Sequence, residues 1–402
     1  MKHQPIPHCN FLFLQGPPGP FFWQLAERLR TLECGIFRIN LNGGDQADWP
    51  GEATHYRGTR TRWTLFIDRY LSENAITDVV LFGDCRPLHM AAHQMAQLRK
   101  IDVHVFEEGY IRPDWLTLEP SGVNGNSSLP RDPAWYLAQA KSLPPVPDRP
   151  PITASFNRRA RDAYRYYSRT WLTKPLYPFY RSHRKGSLFV EALCWLRKFA
   201  TDAREAERAD EIVASLDAPY FLFPLQLSTD FQIRQHSPFL HMDEAVEYVL
   251  FSFARRAPKA ARLLIKEHPL DASLVHWRRK IQSLASKAGI ADRVIHIAGG
   301  YLPDLTAQAA GMVTVNSTSA TLALDMGKPT IALGKAIYDI PGLTHQGRLD
   351  DFWTRPQSPD PQTYEAFRRV LYDRCLIYGG LASESATQTL VDSAVERLAG
   401  TK

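Results

Sequence analysis

The sequence predicts an α/β protein with two lobes, each built on a parallel sheet covered by helices. Three observations support this prediction. The chain has 402 residues, enough for two hydrophobic cores, and its 44% hydrophobic and 22% charged residues are ordinary for a globular protein. Short apolar runs alternate with helical patterns before about residue 110 and again after about residue 218. The stretch between them is instead rich in proline, cations and aromatic residues.

The first lobe is predicted from a regular alternation of strand and helix patterns. The strand patterns are residues 11–14, 36–41, 78–82 and 101–106, and the helical patterns are residues 21–32, 63–71 and 87–99. This order implies parallel strands joined by helices. Ligands bind beyond the carboxyl ends of such strands. The loops that end them, residues 15–20, 83–86 and 107–110, are therefore expected to line a site.

The second lobe repeats the alternation. Its strand patterns are residues 220–225, 262–266, 293–297, 312–315 and 330–333, and residues 383–398 read as a closing helix. We predict an N-terminal lobe over residues 1–150, a basic aromatic insert over 151–210, a C-terminal lobe over 211–375 and a C-terminal helix over 376–402. Two Rossmann-like lobes facing each other across a central cleft form the GT-B architecture, which does not by itself give a function.

The insert is strongly basic. Residues 155–186 hold nine Lys or Arg residues and one acid, Asp162, and aromatic side chains interleave with them. Three interpretations stay open: a surface that lies on an anionic membrane, a nucleic-acid site, or a solvated helix pair whose aromatic rings pack inward.

Bulk features exclude several classes of protein. The five cysteines form no CxxC pair, which argues against a disulfide framework and a zinc site. No apolar run approaches the roughly 20 residues of a spanning helix, and no apolar signal segment precedes the first strand. We therefore expect a cytoplasmic protein that uses no cofactor and no metal.

Polar residues cluster after the predicted strands, where chemistry is expected. In the second lobe Lys266 and His268 follow one strand, and a polar run opens the helix after another; both suit a phosphate. That run is Asn316, Ser317, Thr318 and Ser319. Gln226 and Asp230 follow the lobe's first strand, and a carboxylate there suits a nucleophile.

The first lobe offers acids and a rigid loop. Glu107 and Glu108 end a strand side by side, and adjacent like charges are expected to raise one pKa, as a general acid or base requires. The remaining candidates for an acceptor pocket are Gln15, Gly16, Asp84 and Arg112.

Longer motifs resemble those of a known family. FLQGPPGPFF, VVLFGDCRP, VHVFEEGYIRPDWLTLE, FPLQLSTDFQIRQHSPF, IKEHP and NSTSATLALDMGKPTIALG are together similar to the capsule polysaccharide biosynthesis and export family of Gram-negative bacteria, of the KpsS/LipB type. The resemblance runs from about residue 11 to residue 333.

The resemblance implies a retaining β-Kdo transferase of GT-B form. Such an enzyme takes Kdo from CMP-Kdo and starts the Kdo linker of the capsule on phosphatidylglycerol or lysophosphatidylglycerol. Carried onto this sequence, the resemblance assigns Asp230 as the nucleophile and Glu107 or Glu108 as the acid/base group. It assigns the phosphate site to Lys266, His268 and the polar run over residues 316–319, called the serine run below. Related two-module enzymes have a Glu-Asp pair where this chain has Glu107-Glu108, so the identity of the acid/base group stays open.

The resemblance also implies partners: the inner-membrane surface, a KpsC-type transferase and the capsule export complex, but no nucleic acid. Two alternatives remain. One is a transferase of the same shape with another nucleotide-sugar donor, and the other is a non-catalytic component of the export complex that binds the lipid-linked glycan.

Overall fold

The chain folds into two α/β units. The computed structural model describes residues 9–152, 155–181, 201, 203–216, 218–227, 231–269, 271 and 275–400. Unit 1 comprises the described residues of Met1–Ser128, Pro144–His183 and Leu371–Lys402, and unit 2 those of Leu129–Leu143 and Arg184–Val370. Each unit is thus assembled from separate stretches of chain, which differs from the contiguous domains expected from the sequence.

The secondary structure follows the predicted alternation, and the α/β fold class is confirmed. The strands are β1 (Asn10–Phe13), β2 (Gly35–Asn40), β3 (Thr54–His55), β4 (Asp78–Phe82), β5 (Asp102–Glu108), β6 (Trp115–Pro120), β7 (Tyr220–Pro224), β8 (Arg262–Lys266), β9 (Val294–Ile297), β10 (Gly311–Thr314), β11 (Thr330–Ala332) and β12 (Leu376–Tyr378).

The helices connect and cover these strands. In chain order they are α1 (Phe21–Arg30), α2 (Gly43–Ala47), α3 (Arg60–Glu73), α4 (Pro87–Leu98), α5 (Pro133–Ala140), α6 (Phe156–Leu172), α7 (residues 203–214), α8 (Phe231–His236), α9 (Met242–Arg256), α10 (Trp277–Lys287), α11 (Leu302–Gln308), α12 (Ser319–Asp325), α13 (Leu349–Phe352), α14 (Pro361–Arg374) and α15 (Glu384–Gly400). No helix among the described residues is long and apolar enough to cross a bilayer.

Unit 1 is built on a seven-stranded sheet with the order β12-β6-β5-β4-β1-β2-β3. The five strands β1 to β5 are parallel, whereas β6 and β12 pair antiparallel with their neighbours. All five residues of β4 are buried, as expected for a strand covered on both faces. β1 lies between β2 and β4, so the strand order reverses beside β1.

The C-terminal helix α15 belongs to unit 1. Its residues Leu390, Val391 and Val395 are buried in one core cluster with Phe11 and Phe13 of β1. The last helix of the chain therefore covers the first strand, whereas the sequence was interpreted as ending in a separate helical segment.

Unit 2 is built on a five-stranded parallel sheet with the order β11-β10-β7-β8-β9. Alternate residues of β8 enter different cores: Leu263 and Ile265 lie in the larger cluster and Leu264 in the smaller one. Such division is expected for a strand between two layers of helices. The strand order again reverses beside the first strand of the unit, between β7 and β10.

Part of the predicted insert packs into unit 1. Tyr166 of α6 is buried against α2, and a Cβ added to Gly44 would lie 2.7 Å from its ring. Only a glycine at position 44 leaves α6 this close an approach. Residues 182–200 of the insert lie outside the described residues, whereas α7 belongs to unit 2.

Candidate functional site

The carboxyl edge of the unit 2 sheet carries most of the residues predicted to bind a donor. β7 lies between β8 and β10, so the strand order reverses beside it. Open parallel sheets usually bind ligands at such a reversal, which here lies beyond the loops after β7 and β10. Gln226 lies in the first loop and Asn316 in the second. Asp230, the predicted nucleophile, lies outside the described residues.

Two hydrogen bonds join these loops. Gln226 Nε2 donates to Asn316 Oδ1 at 2.8 Å, and Asn316 N donates to Gln226 Oε1 at 3.0 Å. Asn316 Nδ2 also donates to the carbonyl of Gln232 at 3.0 Å, so this amide links the loop to α8. Both side chains fix the positions of these loops, and their direct contact with a donor stays a prediction.

The serine run forms a hydroxyl cluster at the start of α12. Ser317 Oγ accepts hydrogen bonds from Ser319 N at 3.2 Å and from Ser319 Oγ at 2.9 Å. The Ser317 carbonyl accepts from Ala320 N at 3.2 Å. The first backbone N–H groups of this seven-residue helix therefore already have partners, so they are not free for a phosphate. The Ser317 and Thr318 hydroxyls are what the loop offers to a phosphate.

The KEHP segment divides between the two faces of the sheet. Lys266 is buried, with 6% of its surface exposed, and lies on the same face as Leu264. Its Nζ donates to the Glu267 carbonyl at 3.3 Å. Glu267 lies on the opposite face, as strand alternation requires. His268 follows half-buried, and its carbonyl accepts from Asp271 N at 3.0 Å.

A neighbouring histidine, not singled out from the sequence, stabilises this edge. His296 Nε2 lies 2.8 Å from Glu267 Oε1, and Glu267 N donates to the Ile297 carbonyl at 2.9 Å. The pair joins the carboxyl ends of β8 and β9. The signal that points to His296 is its place beside the end of a predicted strand, next to the strand that carries Lys266.

Glu107 and Glu108 do not form a coupled pair. They are consecutive residues of β5, so their side chains leave opposite faces of the sheet. Arg159 Nη2 of α6 donates to Glu108 Oε1 at 2.8 Å. Burial raises the pKa of Glu108, but the charges of Arg159 and Arg112 outweigh it and the pKa is lowered. The expectation that mutual repulsion raises a pKa is therefore wrong for Glu108.

Gln15 is committed to a buried network at the reversal point of the unit 1 sheet. Its Nε2 donates to Tyr166 OH at 2.6 Å and to Tyr180 OH at 3.1 Å, and its Oε1 accepts from Arg86 Nη1 at 3.0 Å. Tyr166 OH in turn donates to Asp45 Oδ1 at 2.7 Å. Here α6 fills the position where a ligand was expected, and Gln15 holds α6 in place.

Asp84 fixes a loop. Its Oδ2 accepts from Val123 N at 3.1 Å and from Asn126 Nδ2 at 2.9 Å. Gly16 allows a ring to pack closely, since an added Cβ would lie 2.8 Å from the side chain of Phe22. Asp84 and Gly16, both predicted to line an acceptor pocket, thus stabilise the structure of unit 1.

Arg112 is exposed and close to the acids. Its Nε donates to the Gly109 carbonyl at 3.1 Å, within the turn that follows β5, and its charge lowers the pKa of Glu108. Of the first-lobe candidates, Arg112 and Glu107 therefore lie near the edge where β5 ends.

Comparison with known proteins identifies the family. A family model described as "Capsule polysaccharide biosynthesis protein" matches residues 77–380. The chain belongs to this capsule polysaccharide biosynthesis family. The resemblance inferred from the motifs is thus confirmed, and the matched range includes both the KEHP segment and the serine run.

Two curated relatives agree with this assignment. The capsule polysaccharide export protein KpsS of Escherichia coli is 35% identical over 369 residues, which cover 90% of this chain and 94% of the relative. The capsule polysaccharide modification protein LipB of Neisseria meningitidis serogroup B is 33% identical over 385 residues, which cover 93% and 92%. A solved structure, the KpsC beta Kdo 2,7 transferase of Thermosulfurimonas dismutans, is 15% identical with a TM-score of 0.44 and covers 95% of this chain and 99% of that one.

Proposed function

We propose that this family member is a retaining β-Kdo transferase that uses CMP-Kdo to start the Kdo linker on phosphatidylglycerol or lysophosphatidylglycerol. The observation that carries the proposal is the reversal of strand order beside β7, where Gln226 and Asn316 join two loops and the neighbouring strand β8 ends in Lys266. Reversals of this kind are the usual ligand sites of open parallel sheets.

The residues at this edge suit a phosphate leaving group. Lys266 is a buried cation, and burial strengthens the attraction between an ammonium and an anion because little water screens it. The Ser317 and Thr318 hydroxyls supply neutral donors beside it in the sheet edge. Together they would bind the CMP phosphate and stabilise the negative charge that develops as CMP leaves.

The proposed chemistry is a double displacement. The Asp230 carboxylate attacks the anomeric carbon of Kdo, the bond from that carbon to the phosphate oxygen breaks, and CMP leaves with the electron pair. An acceptor hydroxyl then loses its proton to a glutamate and attacks the same carbon, which releases Asp230. Two inversions give net retention.

Of the two glutamates, Glu107 suits the base better. Glu108 is held by Arg159 and its lowered pKa makes it a weak proton acceptor. Glu107 leaves the opposite face of β5, and its Oε1 accepts a hydrogen bond from Glu108 N at 3.0 Å. Glu107→Gln should therefore reduce turnover more than Glu108→Gln.

Product formation tests the proposal. The full chain is incubated with CMP-Kdo and a fluorescent lysophosphatidylglycerol analogue, with CMP-sialic acid and a UDP-sugar as donor controls, and the product mass is measured. We expect one added Kdo from CMP-Kdo alone. Lys266→Met should lower the rate by roughly 100-fold or more, whereas Lys259→Met, at an exposed position of the same unit, should leave it unchanged.

Two outcomes would contradict the proposal. No Kdo product in any lipid would argue for the non-catalytic glycan-binding alternative, and a product from another donor would argue for a different transferase. The double displacement has its own test: Glu107→Gln protein given CMP-Kdo should carry a covalent Kdo on Asp230, seen by mass spectrometry. An unmodified Asp230 together with an active Asp230→Ala variant would rule it out.

A further inference from the structure

Unit 2 contains a polar cavity that the site above does not use. It has a volume of about 460 Å³ and lies at the carboxyl end of β11, beside the end of α8. Its lining includes Arg131, His236, Ser237, Gly334, Lys335 and Asp339. Cavities of this size are typical of small-molecule sites.

Backbone hydrogen bonds make its wall rigid. Gly334 N donates to the Val315 carbonyl at 2.8 Å, and Lys335 N donates to the His236 carbonyl at 2.6 Å. A Cβ at Gly334 would lie 2.7 Å from the His236 carbonyl oxygen, so only glycine allows the two segments to lie this close. The wall is therefore formed before any ligand binds, which lowers the entropic penalty of binding.

The Arg131 side of the cavity is also anchored. Arg131 precedes α5, whose Asp132 side chain accepts from Ala134 N at 3.0 Å as an N-cap. Tyr136 of α5 is fully buried and its ring lies 5.5 Å from that of Phe367. Arg131 thus projects from a helix start that is fixed to the body of unit 2.

The charges of the lining favour an anion that also carries hydroxyls. Arg131 Nη1 lies 3.6 Å from Asp339 Oδ2, beyond hydrogen-bond distance, and Lys335 adds a second cation. Asp339 Oδ1 already accepts from Thr344 Oγ1 at 2.9 Å. Arginine binds carboxylates and phosphates through two parallel N–H donors, and the carboxylate of Asp339 accepts from hydroxyls.

We propose that this cavity binds an acidic sugar residue, with Arg131 and Lys335 on its anionic group and Asp339 on its hydroxyls. The class of ligand follows from the lining, whereas the choice of Kdo as the first probe rests on the proposed function. The cavity would then select a carboxylate-bearing sugar over a neutral one of similar size.

Binding of the free sugar acid tests the inference without turnover. Calorimetric titration of the full chain with free Kdo should give an affinity clearly above that for galactose, and inorganic phosphate should compete weakly. Arg131→Gln and Lys335→Gln should each weaken Kdo binding by about tenfold or more, since hydrogen bonds to charged groups are among the strong ones. Lys259→Gln, at an exposed position of unit 2, should bind like the wild type.

The result separates this inference from the proposed function. Lys266→Met should keep its affinity for free Kdo. If the wild type transfers no Kdo but binds it, and Arg131→Gln weakens that binding, the cavity is supported although the proposed function fails. Equal binding of Kdo and galactose would overturn the inference, as would unchanged Kdo binding in both cavity variants. Strong phosphate binding that excludes Kdo would replace the acidic sugar with a phosphate. Arg131 is about half exposed, so its variant is expected to fold, and thermal melting checks this.

Discussion

Neighbouring residues at a strand end serve different purposes in this protein. Lys266 ends β8 and Glu267 follows it on the opposite face of the sheet, and Glu107 and Glu108 leave opposite faces of β5. One member of each pair contacts a neighbouring element: Glu267 forms a hydrogen bond with His296 of β9, and Glu108 forms an ion pair with Arg159 of α6. The other member, Lys266 or Glu107, is the one to which the proposed mechanism assigns chemistry.

Asp48 should make stability depend on pH. Burial raises the pKa of its carboxyl to about 7, against a lowering effect of the hydrogen bond from Gly19 N at 2.8 Å. A carboxyl whose folded pKa is raised stabilises the fold below its unfolded pKa, near 3.8, and that stabilisation is lost as pH rises to about 7. Asp48 therefore destabilises the fold at neutral pH.

Asp48→Asn removes this dependence, because the amide keeps an acceptor for Gly19 N but does not ionise. In urea unfolding between pH 4 and pH 8, the free energy of unfolding of the variant should rise relative to that of the wild type as pH rises, by on the order of 2 kcal/mol. This is about half of what the full pKa shift allows, because the Asp48 side chain is partly exposed. Asp102→Asn, at an exposed position, should show no such trend. A pH-independent difference between Asp48→Asn and wild type would contradict the assignment.

At the scale of elements, the parallel strands other than the two-residue β3 were predicted, and the antiparallel strands β6 and β12 were not. β4 and β7 are wholly buried, so each appears as a continuous apolar run. β6 and β12 were missed because they pair antiparallel through partners such as Thr117 and Leu376, which are remote in the sequence. The local pattern of apolar residues does not predict pairing between segments that are remote in the sequence.

The same limit applies to the candidate site. Motif position predicted that Gln226, Lys266 and Asn316 lie at one sheet edge, since parallel strands share their carboxyl ends. The sequence did not predict the hydrogen bond from Gln15 to Tyr166, because the two residues are 151 positions apart and the packing of α6 brings them together.

Helix α6 and the turn after it present an exposed surface of aromatic, aliphatic and basic side chains. Trp171 is 62% exposed and Phe179 51% exposed, and exposed cations such as Arg169 and Lys174 accompany them. Tyr166 and Tyr177 instead pack inward. This combination suits an anionic bilayer, where cations lie near the headgroups and rings at the interface.

We therefore expect the protein to bind phosphatidylglycerol vesicles, less tightly as salt increases, and not vesicles of neutral lipid. Trp171→Ala should weaken binding several-fold in a co-sedimentation assay. Leu65→Ala, which removes a comparably exposed apolar side chain from α3 of the same unit, is the matched control and should bind as the wild type does. Equal binding of both variants would exclude α6 as the membrane-binding surface.

At the scale of the whole molecule, both units use the same parallel strand order, with a reversal beside the first strand of each. In unit 1 that position is filled by Gln15 and Tyr166 of α6, whereas in unit 2 hydrogen bonds between Gln226 and Asn316 join the two loops. The fold repeats, but the proposed donor site belongs to one copy because unit 1 uses its own helix to occupy the equivalent place.

The discontinuous build of unit 1 makes its stability depend on the end of the chain. Leu390 of α15 is fully buried in the core cluster that includes Phe11 and Phe13, so Leu390→Ala should cost about 2–5 kcal/mol through lost burial and the cavity left behind. Amide hydrogen exchange should show the loss of protection in β1, far along the chain, before β8 of unit 2 is affected. Gln388→Ala, at an exposed position of the same helix, should change neither. Equal loss of protection in β1 and β8 would mean that the two units unfold together and that α15 stabilises the whole molecule.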